Sequence, residues 1–281
     1  MGIGWRTASR RGVVMRNLSV AMVALGALAA ATPVAAADMV LKAPPPVAPY
    51  NWTGFYAGGN IGYSWGNADS NYNEPFFGFL GLPVPISTSQ SLDGVIGGGQ
   101  IGYNWQANKT WVLGLEADLQ GSGERGSSST ADPYNLLLIN TFAALDPTLT
   151  LTNKVDIQWF GTVRGRVGVL ATPTMLLYGT GGLAYGGICA SGSVNDGVVL
   201  GTAWSFSSST TKVGWTLGAG IEGAVPNTSN WTWKLEYLYI DFGTISGNGV
   251  DPLLLLGSYP YSWSTRVTDN ILRVGFNYRF Y

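Results

Sequence analysis

The chain has 281 residues, of which 46% are hydrophobic and only 11% are charged, whereas a soluble domain usually carries about 25% charged residues. It contains no histidine, which excludes imidazole acid–base catalysis, imidazole metal ligands and a Ser–His pair. A single cysteine, Cys189, excludes an internal disulfide framework and a multi-thiolate metal site. The 40 glycines, 14 tyrosines and 11 tryptophans favour strands, turns and membrane-interface aromatics over helices.

The N-terminal region has the pattern of a secretory signal peptide. A positively charged start at 15–18 precedes an apolar stretch at 20–31 and a small-residue cleavage pattern at 35–37. We predict a signal peptide over 1–37, with Met15 as an alternative start. A membrane anchor helix is the competing interpretation, and the short, alanine-rich apolar stretch disfavours it.

Export changes the charge that the protein presents. Four of the 15 basic residues precede residue 20 and all 16 acidic residues lie from Asp38 onward, so the mature chain has a formal charge of −5. No basic patch remains for nucleic acid, which we exclude as a partner. Residues 38–50 are rich in proline, which favours extended polyproline geometry. We predict a short periplasmic tail there.

The region 51–281 is dominated by residues that alternate between two faces, as in a strand. In 156–170, Ile157, Trp159, Val163 and the other odd-numbered residues are apolar or glycine, whereas Gln158 and its even neighbours carry most of the polarity. Seven further segments show the same alternation, at about 53–65, 93–105, 111–120, 175–188, 212–225, 231–243 and 269–281. In 175–188 either phase fits, and we favour the phase of Leu177 as the apolar face.

Two architectures use such strands: a soluble sandwich or lipocalin-like barrel with the apolar face inside, and a membrane barrel with that face in lipid. The low charge cannot cover a soluble surface, and each segment reaches the ~9–11 residues of a tilted membrane strand. Short and long connections also alternate, as in outer-membrane proteins. The short ones are predicted at about 106–110, 171–174 and 226–230, and the long ones at about 66–92, 121–155, 189–211 and 244–268. We predict an all-β, eight-stranded antiparallel transmembrane up-and-down barrel with long external loops.

Aromatic residues are predicted to form two belts at the two membrane interfaces. The periplasmic belt comprises Trp52, Phe55, Tyr103, Trp105, Trp111, Trp231, Trp233, Tyr278 and Phe280. The outer belt comprises Tyr63, Trp65, Trp159, Tyr185, Trp215 and Tyr239.

The polar face of the strands is predicted to point into the lumen, where unpaired charge is costly. The predicted lumen ion-pair network comprises Glu116, Asp118, Arg164, Arg166, Lys212, Glu222, Lys234, Glu236, Arg273 and Arg279. Eight strands leave an interior only wide enough for side chains, so we interpret this network as a structural plug. A gated ion path and acid–base catalysis by Glu116 and Asp118 are the alternatives.

Other motifs have weaker interpretations. Gly97–Gly102 fits G-x-G-x-x-G, but a strand follows it where a dinucleotide site needs a helix.

Cys189 is either a small residue at a strand end or a reactive thiol. The long loops contain apolar runs at 76–80, 136–139 and 253–256. These runs are expected either to cap the barrel mouth or to contact a partner or lipid.

Four blocks of sequence resemble the small outer-membrane β-barrel proteins of alphaproteobacteria, often labelled porin-family proteins. The blocks are 51–56 (NWTGFY), 98–105 (GGQIGYNW), 235–239 (LEYLY) and 273–280 (RVGFNYRF). The resemblance covers essentially the whole mature chain. It implies an eight-stranded barrel with exposed loops and a structural or adhesive envelope role. Haem binding by some members is not carried over, since no histidine offers the usual axial ligand.

The C-terminus departs from the family in one respect. Family members typically end at the aromatic that corresponds to Phe280, whereas here Tyr281 follows. Phe276, Tyr278 and Phe280 share one phase and form the predicted assembly signal, with which Tyr281 is out of phase.

These features together predict a non-enzymatic outer-membrane protein with a structural or surface-interaction role and no cofactor. A narrow diffusion channel is the alternative, and an outer-membrane hydrolase is a remote third hypothesis. The expected partners are outer-membrane lipid, the barrel assembly machinery during biogenesis and a surface ligand of the external loops.

Overall fold

A computed structural model describes residues 50–73, 86–131, 150–195, 203–253 and 257–280. The predicted signal peptide, the tail before Tyr50, and the apolar runs at 76–80 and 136–139 lie outside these residues, as do 254–256 of the third run. The eight strands are β1 (Gly54–Asn73), β2 (Ile86–Gln106), β3 (Trp111–Ala131), β4 (Thr150–Thr172), β5 (Met175–Asn195), β6 (Ala203–Ala224), β7 (Trp231–Leu253) and β8 (Gly257–Phe280). Within the described ranges, no helix is long and apolar enough to cross a membrane.

The strands form a closed antiparallel barrel in chain order. Each strand pairs with its neighbours in sequence, and β1 closes the barrel by pairing with β8 from Phe55 opposite Phe280 onward. In the part of the barrel nearest the turns, closure leaves no strand edge, which a membrane strand requires. Toward the other end the ladder between β6 and β7 stops at Trp215 opposite Asp241. The predicted eight-stranded architecture is confirmed. Gly97–Gly102 lies inside β2, without a following helix.

One end of the barrel, here the turn end, carries the short connections 107–110, 173–174 and 225–230. Their sequences favour tight turns. Asn108 accepts hydrogen bonds through Oδ1 from the backbone N–H groups of Thr110 (2.8 Å) and Trp111 (2.9 Å). Asn227 adopts a φ of 61°, a left-handed conformation that asparagine tolerates. The three predicted short turns are confirmed, and the opposite end is called the loop end.

The strands are longer than the sequence predicted, at 20 to 24 residues. The predicted long loop at 66–92 is wrong over most of its length, because β1 and β2 remain paired up to Tyr72 and Ile86. The other hairpins extend similarly into 121–155, 189–211 and 244–268. These extensions are rich in serine, threonine and asparagine, a composition typical of loops, yet they continue the ladder. About half of each strand therefore exceeds the ~9–11 residues that a membrane requires.

The outward face carries apolar side chains between two aromatic belts, as predicted. At the turn end, Phe55 packs on Tyr103 with ring centroids 4.7 Å apart, and Trp231 packs on Tyr278 at 5.2 Å. At the loop-end belt, Trp215 packs on Tyr239 at 5.4 Å. In β5, Leu177 is outward and Leu176 is buried, which confirms the favoured phase.

Trp52 does not belong to the turn-end belt, and that prediction is wrong. Its side chain is 0% exposed and packs inside the turn end against Val112 and Leu176. Its indole Nε1 donates a hydrogen bond to the carbonyl of Pro173 (3.2 Å), and its backbone N–H donates to Gln106 Oε1 (2.9 Å). Residues 50–53, before β1, therefore lie at the turn end with Trp52 packed inside the barrel, and the alternation of a strand does not apply to them.

The interior of the loop end contains an apolar core beside buried polar side chains such as Gln90 and Asn153. A register shift in β4 between Ile157 and Trp159 inverts the two faces, so that Ile157 is buried inside and Gln158 is exposed. The predictions that Ile157 faces outward and Gln158 inward are therefore wrong. A second shift in β7, between Asp241 and Gly243 (φ 73°), likewise buries Ile245. The resulting loop-end core comprises Ala68, Leu92, Ile96, Val155, Ile157, Phe160, Ala184, Ile188, Ala190, Leu238, Ile240, Phe242, Ile245, Trp263, Val267 and Ile271.

Candidate functional site in the barrel lumen

Eight charged side chains lie together inside the barrel between the two aromatic belts. This ion cluster comprises Glu116, Asp118, Arg164, Arg166, Glu222, Lys234, Glu236 and Arg273. It contains four carboxylates and four cations, all nearly fully buried. The strand alternation places them inward, and their charges balance within the lumen, where isolated charge is very costly.

Arg164 is the most highly connected cation of the cluster. Its Nη2 lies 2.5 Å from Glu116 Oε1 and 2.9 Å from Asp118 Oδ2, and its Nη1 lies 3.1 Å from Glu236 Oε1. Its Nε donates to the hydroxyl of Thr162 (2.8 Å), which in turn donates to Asp118 Oδ2 (2.8 Å). The planar guanidinium thus joins β3 and β4 to β7 on another wall of the barrel.

Arg273 and Lys234 supply further contacts of the ion cluster. Arg273 Nη2 lies 2.6 Å from Glu236 Oε2 and 2.9 Å from Asp118 Oδ2. Lys234 Nζ lies 2.8 Å from Glu116 Oε1. These contacts cross the lumen from β7 and β8 to β3.

Arg166 and Glu222 form the part nearest the turn end, with Nη2 and Oε2 2.5 Å apart. Glu222 Oε1 also accepts hydrogen bonds from Thr232 Oγ1 (2.6 Å) and Asn277 Nδ2 (3.1 Å). A chain of amides continues from Asn277 through Gln100 to Asn60 on β1. Neutral side chains therefore extend the ion cluster to the remaining walls.

Two buried tyrosines belong to the site but were absent from the predicted network. Tyr56 Oη donates to Glu116 Oε2 (2.7 Å), and Tyr178 Oη donates to Glu236 Oε1 (3.0 Å). Arg166 lies over the Tyr178 ring at 4.1 Å from its centroid, a cation–π contact. Both tyrosines are at positions of their strands that alternate with the outward apolar residues. This alternation in the sequence therefore predicts that they point into the lumen.

Inward glycines make room for these rings. A Cβ on Gly102 would lie 2.3 Å from Tyr56 Oη, and a Cβ on Gly220 would lie 2.5 Å from Tyr178 Oη. Only glycine leaves the space that each phenol occupies, so the glycines at these positions support the lumen network.

Two predicted members of the network lie outside the ion cluster, and their assignment to it is wrong. Lys212 lies further toward the loop end of β6, partly exposed, and its Nζ donates to the carbonyl of Thr244 (3.1 Å). Arg279 is buried at the turn end, where its guanidinium donates to the backbone carbonyl of Thr53 (3.3 Å) and lies over the Tyr50 ring at 4.6 Å. Lys212 and Arg279 are both too far along their strands to reach the cluster. The alternation predicts the face of a residue but not this position.

The described part of the chain offers no group of three or more Cys, Asp or Glu side chains arranged for a metal ion. Cys189 lies near the loop end of β5, with its Sγ 3.5 Å from the hydroxyl of Ser209. Glu116 and Asp118, the two carboxylates of the catalytic alternative, each contact both Arg164 and Arg273.

Comparison with known proteins matches this geometry to one family. Residues 20–280 match the sequence profile described as "Outer membrane protein beta-barrel domain". The chain belongs to this outer-membrane β-barrel family. It is 39% identical over 260 residues to a 31 kDa outer-membrane immunogenic protein of Brucella melitensis, covering 89% of this chain and 95% of the relative. It is 34% identical over 194 residues to a 22 kDa outer membrane protein of Rhizobium leguminosarum bv. viciae, covering 68% and 65%.

Among solved structures, the crystal structure of Neisserial surface protein A aligns over 81% of this chain and 98% of its own, with 13% identity and a TM-score of 0.35.

Membership of the family places this barrel in the outer membrane. In such barrels the short turns face the periplasm and the longer connections face outward. The turn end is accordingly periplasmic, and the loop end projects from the cell.

Assembly should depend on the aromatic phase at the end of β8. Phe276, Tyr278 and Phe280 all face outward, and Phe280 pairs with Phe55 at the closing seam. Deleting Tyr281 is expected to leave assembly nearly intact, whereas deleting both Phe280 and Tyr281 should reduce outer-membrane yield several-fold. Immunoblots of membrane fractions measure both. A block caused by removal of Tyr281 alone would contradict this role of the outward phase.

Proposed function

We propose that this protein is a structural and surface-interaction component of the outer membrane, with a lumen that conducts little or nothing. The observation that carries the proposal is the ion cluster, whose contacts join opposite walls of the barrel. Lys234 on β7 reaches Glu116 on β3, and Arg166 on β4 reaches Glu222 on β6. Eight-stranded barrels enclose only enough room for side chains, and water-filled general pores use about 16–18 strands.

The contacts of the carboxylates support a non-catalytic role. A hydrolytic pair needs one protonated acid and one free base or nucleophile. Glu116 and Asp118 instead share Arg164 at 2.5 and 2.9 Å. The cation lies between the two carboxylates and occupies the space that a substrate would need.

The surface-interaction part of the proposal rests on the loop end. The strands extend well beyond the outer aromatic belt, so that four paired hairpins project from the membrane. Relatives are named outer-membrane immunogenic proteins. We infer that the projecting loop end of this chain is likewise accessible from outside the cell.

Planar-bilayer recording tests the closed lumen. The purified full-length protein is expected to show no large, steady conductance, with at most sparse small openings. Arg164→Ala and Glu116→Ala should each raise the frequency of openings, because each removes several contacts from the ion cluster. Lys109→Ala, at an exposed turn, should not change it. A stable, high-conductance pore from the wild-type monomer would favour the diffusion-channel hypothesis instead.

A further inference from the structure

The seam between β6 and β7 opens at the level of the outer aromatic belt. The two strands pair from the turn end only as far as Trp215 opposite Asp241. Beyond that pair, β6 continues to pair with β5, and β7 continues to pair with β8. Residues 203–214 of β6 and 242–253 of β7 therefore each keep one paired neighbour and one open edge. This opening is called the β6–β7 gap.

The other seams between neighbouring hairpins are closed further toward the loop end. The seams between β4 and β5 and between β8 and β1 stay paired to the ends of β4 and β1. The ladder between β2 and β3 ends at Asp93 opposite Arg125 and leaves shorter unpaired stretches. There the two backbones stay close, since a Cβ on Gly126 would lie 2.5 Å from the Ser91 carbonyl oxygen. Among the described seams, the β6–β7 gap thus has the longest open edges.

The open edge of β6 carries backbone donors and acceptors at a regular spacing. At the turn end, the Ala224 N–H donates to the Thr174 carbonyl beside β5, and the Val225 N–H donates to the Trp231 carbonyl of β7. Because the register between β5 and β6 is unbroken, the odd-numbered residues of β6 point both backbone groups toward β7 or the gap. In the part of the chain that the structure describes, no strand pairs with them beyond Trp215. These residues include Ser207, Ser209, Thr211 and Val213.

The facing edge of β7 is displaced by a bulge, and a single lysine bridges the two edges. The register shift between Asp241 and Gly243 turns the even-numbered residues beyond it toward the gap. The carbonyl of Thr244 accepts a hydrogen bond from Lys212 Nζ (3.1 Å). A side chain, rather than the backbone of β6, therefore satisfies this carbonyl.

The edge of β6 is accessible and has little protection. Along 207–214 the outward side chains are exposed and the inward ones are half-buried, whereas Ile188 and Ala190 at the same level of β5 are buried in the loop-end core. The stretch has no proline and no bulge, and Lys212 is its one charged residue. Prolines, bulges and charges are the usual means by which proteins keep strand edges from pairing with another chain.

On the basis of the proposed surface-interaction role, we propose that the open edge of β6 binds an extended, acidic peptide segment of another protein, which adds to the barrel wall as a further strand. The N–H and C=O groups of 207–213 repeat about every 7 Å, twice the rise per residue, and an extended backbone matches such a row. No carboxylate in 207–214 or 243–249 balances the charge of Lys212. An acidic side chain on the added strand supplies that balance.

Fluorescence anisotropy of the full-length protein in detergent tests the binding. The probes are labelled peptides of threonine and valine, about ten residues long. The wild type is expected to bind a peptide with one central glutamate about tenfold more tightly than the same peptide with glutamine, because the carboxylate contacts Lys212. Lys212→Met should abolish this preference. Lys109→Met, at the exposed periplasmic turn, is the matched control and should retain it.

Ser209→Pro tests whether the backbone of β6 makes the contact. It removes one N–H that faces the gap and leaves the ladder with β5 intact. Binding of the glutamate peptide should weaken about tenfold, whereas Ser209→Thr should not change it. In amide exchange followed by NMR, the odd-numbered amides of 207–213 should exchange rapidly in the free protein, and the peptide should slow them. Equal binding by the two Ser209 variants, or no slowing, would overturn the proposal.

Two further measurements separate this proposal from its alternatives. Slow exchange of the same amides without peptide, lost when the protein is diluted, would assign the edge to a second copy of this chain and overturn the proposal. The exposed loop end is tested by labelling Ser246→Cys, in a Cys189→Ala background, with a membrane-impermeant maleimide on intact cells. Labelling without peptide binding would overturn strand addition alone. Absence of labelling in the folded protein would overturn the surface-interaction role itself.

Discussion

Replacing Val163 by arginine is expected to remove most of the assembled protein from the outer membrane. Val163 is 51% exposed on the outward face, between Trp159 and the turn-end belt, and its cross-strand neighbours are Ala117 and Leu183. The surroundings of this side chain are therefore lipid. An arginine at the bilayer midplane of a barrel costs about 2–4 kcal/mol, a large share of the 5–15 kcal/mol that stabilises a typical protein.

Two matched variants isolate the cause of that loss. Thr162→Ser changes the adjacent inward residue but keeps the hydroxyl that lies between Asp118 and Arg164, so assembly should be close to wild type. Ser129→Arg adds the same charge on β3 beyond the outer belt, where water is accessible, and should also be tolerated. Heat-modifiable migration on gels and the yield in membrane fractions report folding. Equal damage by all three variants would contradict the assignment of faces.

The sequence predicts the membrane part of this barrel well because one physical constraint acts on every residue there. Lipid outside and a charged, close-packed interior force strict alternation, and alternation is visible in a single sequence. Leu113 and Leu115 face lipid, whereas Glu116 and Asp118 face inward, as their phases predict.

Beyond the outer belt the same alternation misleads. From Val155 to Val169 the odd-numbered residues are apolar without interruption, yet the register shift at Gln158 inverts the faces. Val155 and Ile157 thereby enter the loop-end core, while Val163 and Val169 face lipid. The inversion suits the change of surroundings, because water replaces lipid outside the projecting hairpins and the apolar residues of this strand segment are then buried inside. A bulge leaves no mark in the hydrophobic pattern itself.

The alternation predicts which charged side chains point inward, but it does not predict how far along the barrel axis each one lies. Lys212 and Arg279 have the inward phase, but the first lies beyond the cluster and the second lies below it among residues that precede β1. Trp52 was misplaced for a related reason: the chain before β1 leaves the strand geometry and packs inside the barrel. Non-local packing of this kind depends on where segments meet in three dimensions.

Removing one partner of the ion cluster is expected to be the most destabilising single change in the lumen. Arg164→Met should lower the free energy of unfolding by about 3–5 kcal/mol, because it leaves uncompensated carboxylates in a buried site. Glu116→Gln should also destabilise, by leaving excess positive charge. Urea unfolding from lipid vesicles, followed by tryptophan fluorescence, measures both, and Lys109→Met is the exposed control.

The double variant Arg164→Met/Glu116→Gln restores the balance of charge in the cluster, so its loss should be smaller than the sum of the two single losses. A coupling of about 0.5–3 kcal/mol is expected for groups in contact, and Arg164 and Glu116 are 2.5 Å apart. If both single variants unfold within about 0.5 kcal/mol of the wild type, as substitutions away from such buried features usually do, the carboxylates are solvated. A hydrated lumen would then support the narrow-channel hypothesis. Strong coupling would mean that Arg164 and Glu116 interact where water does not screen them, as the proposed closed lumen requires.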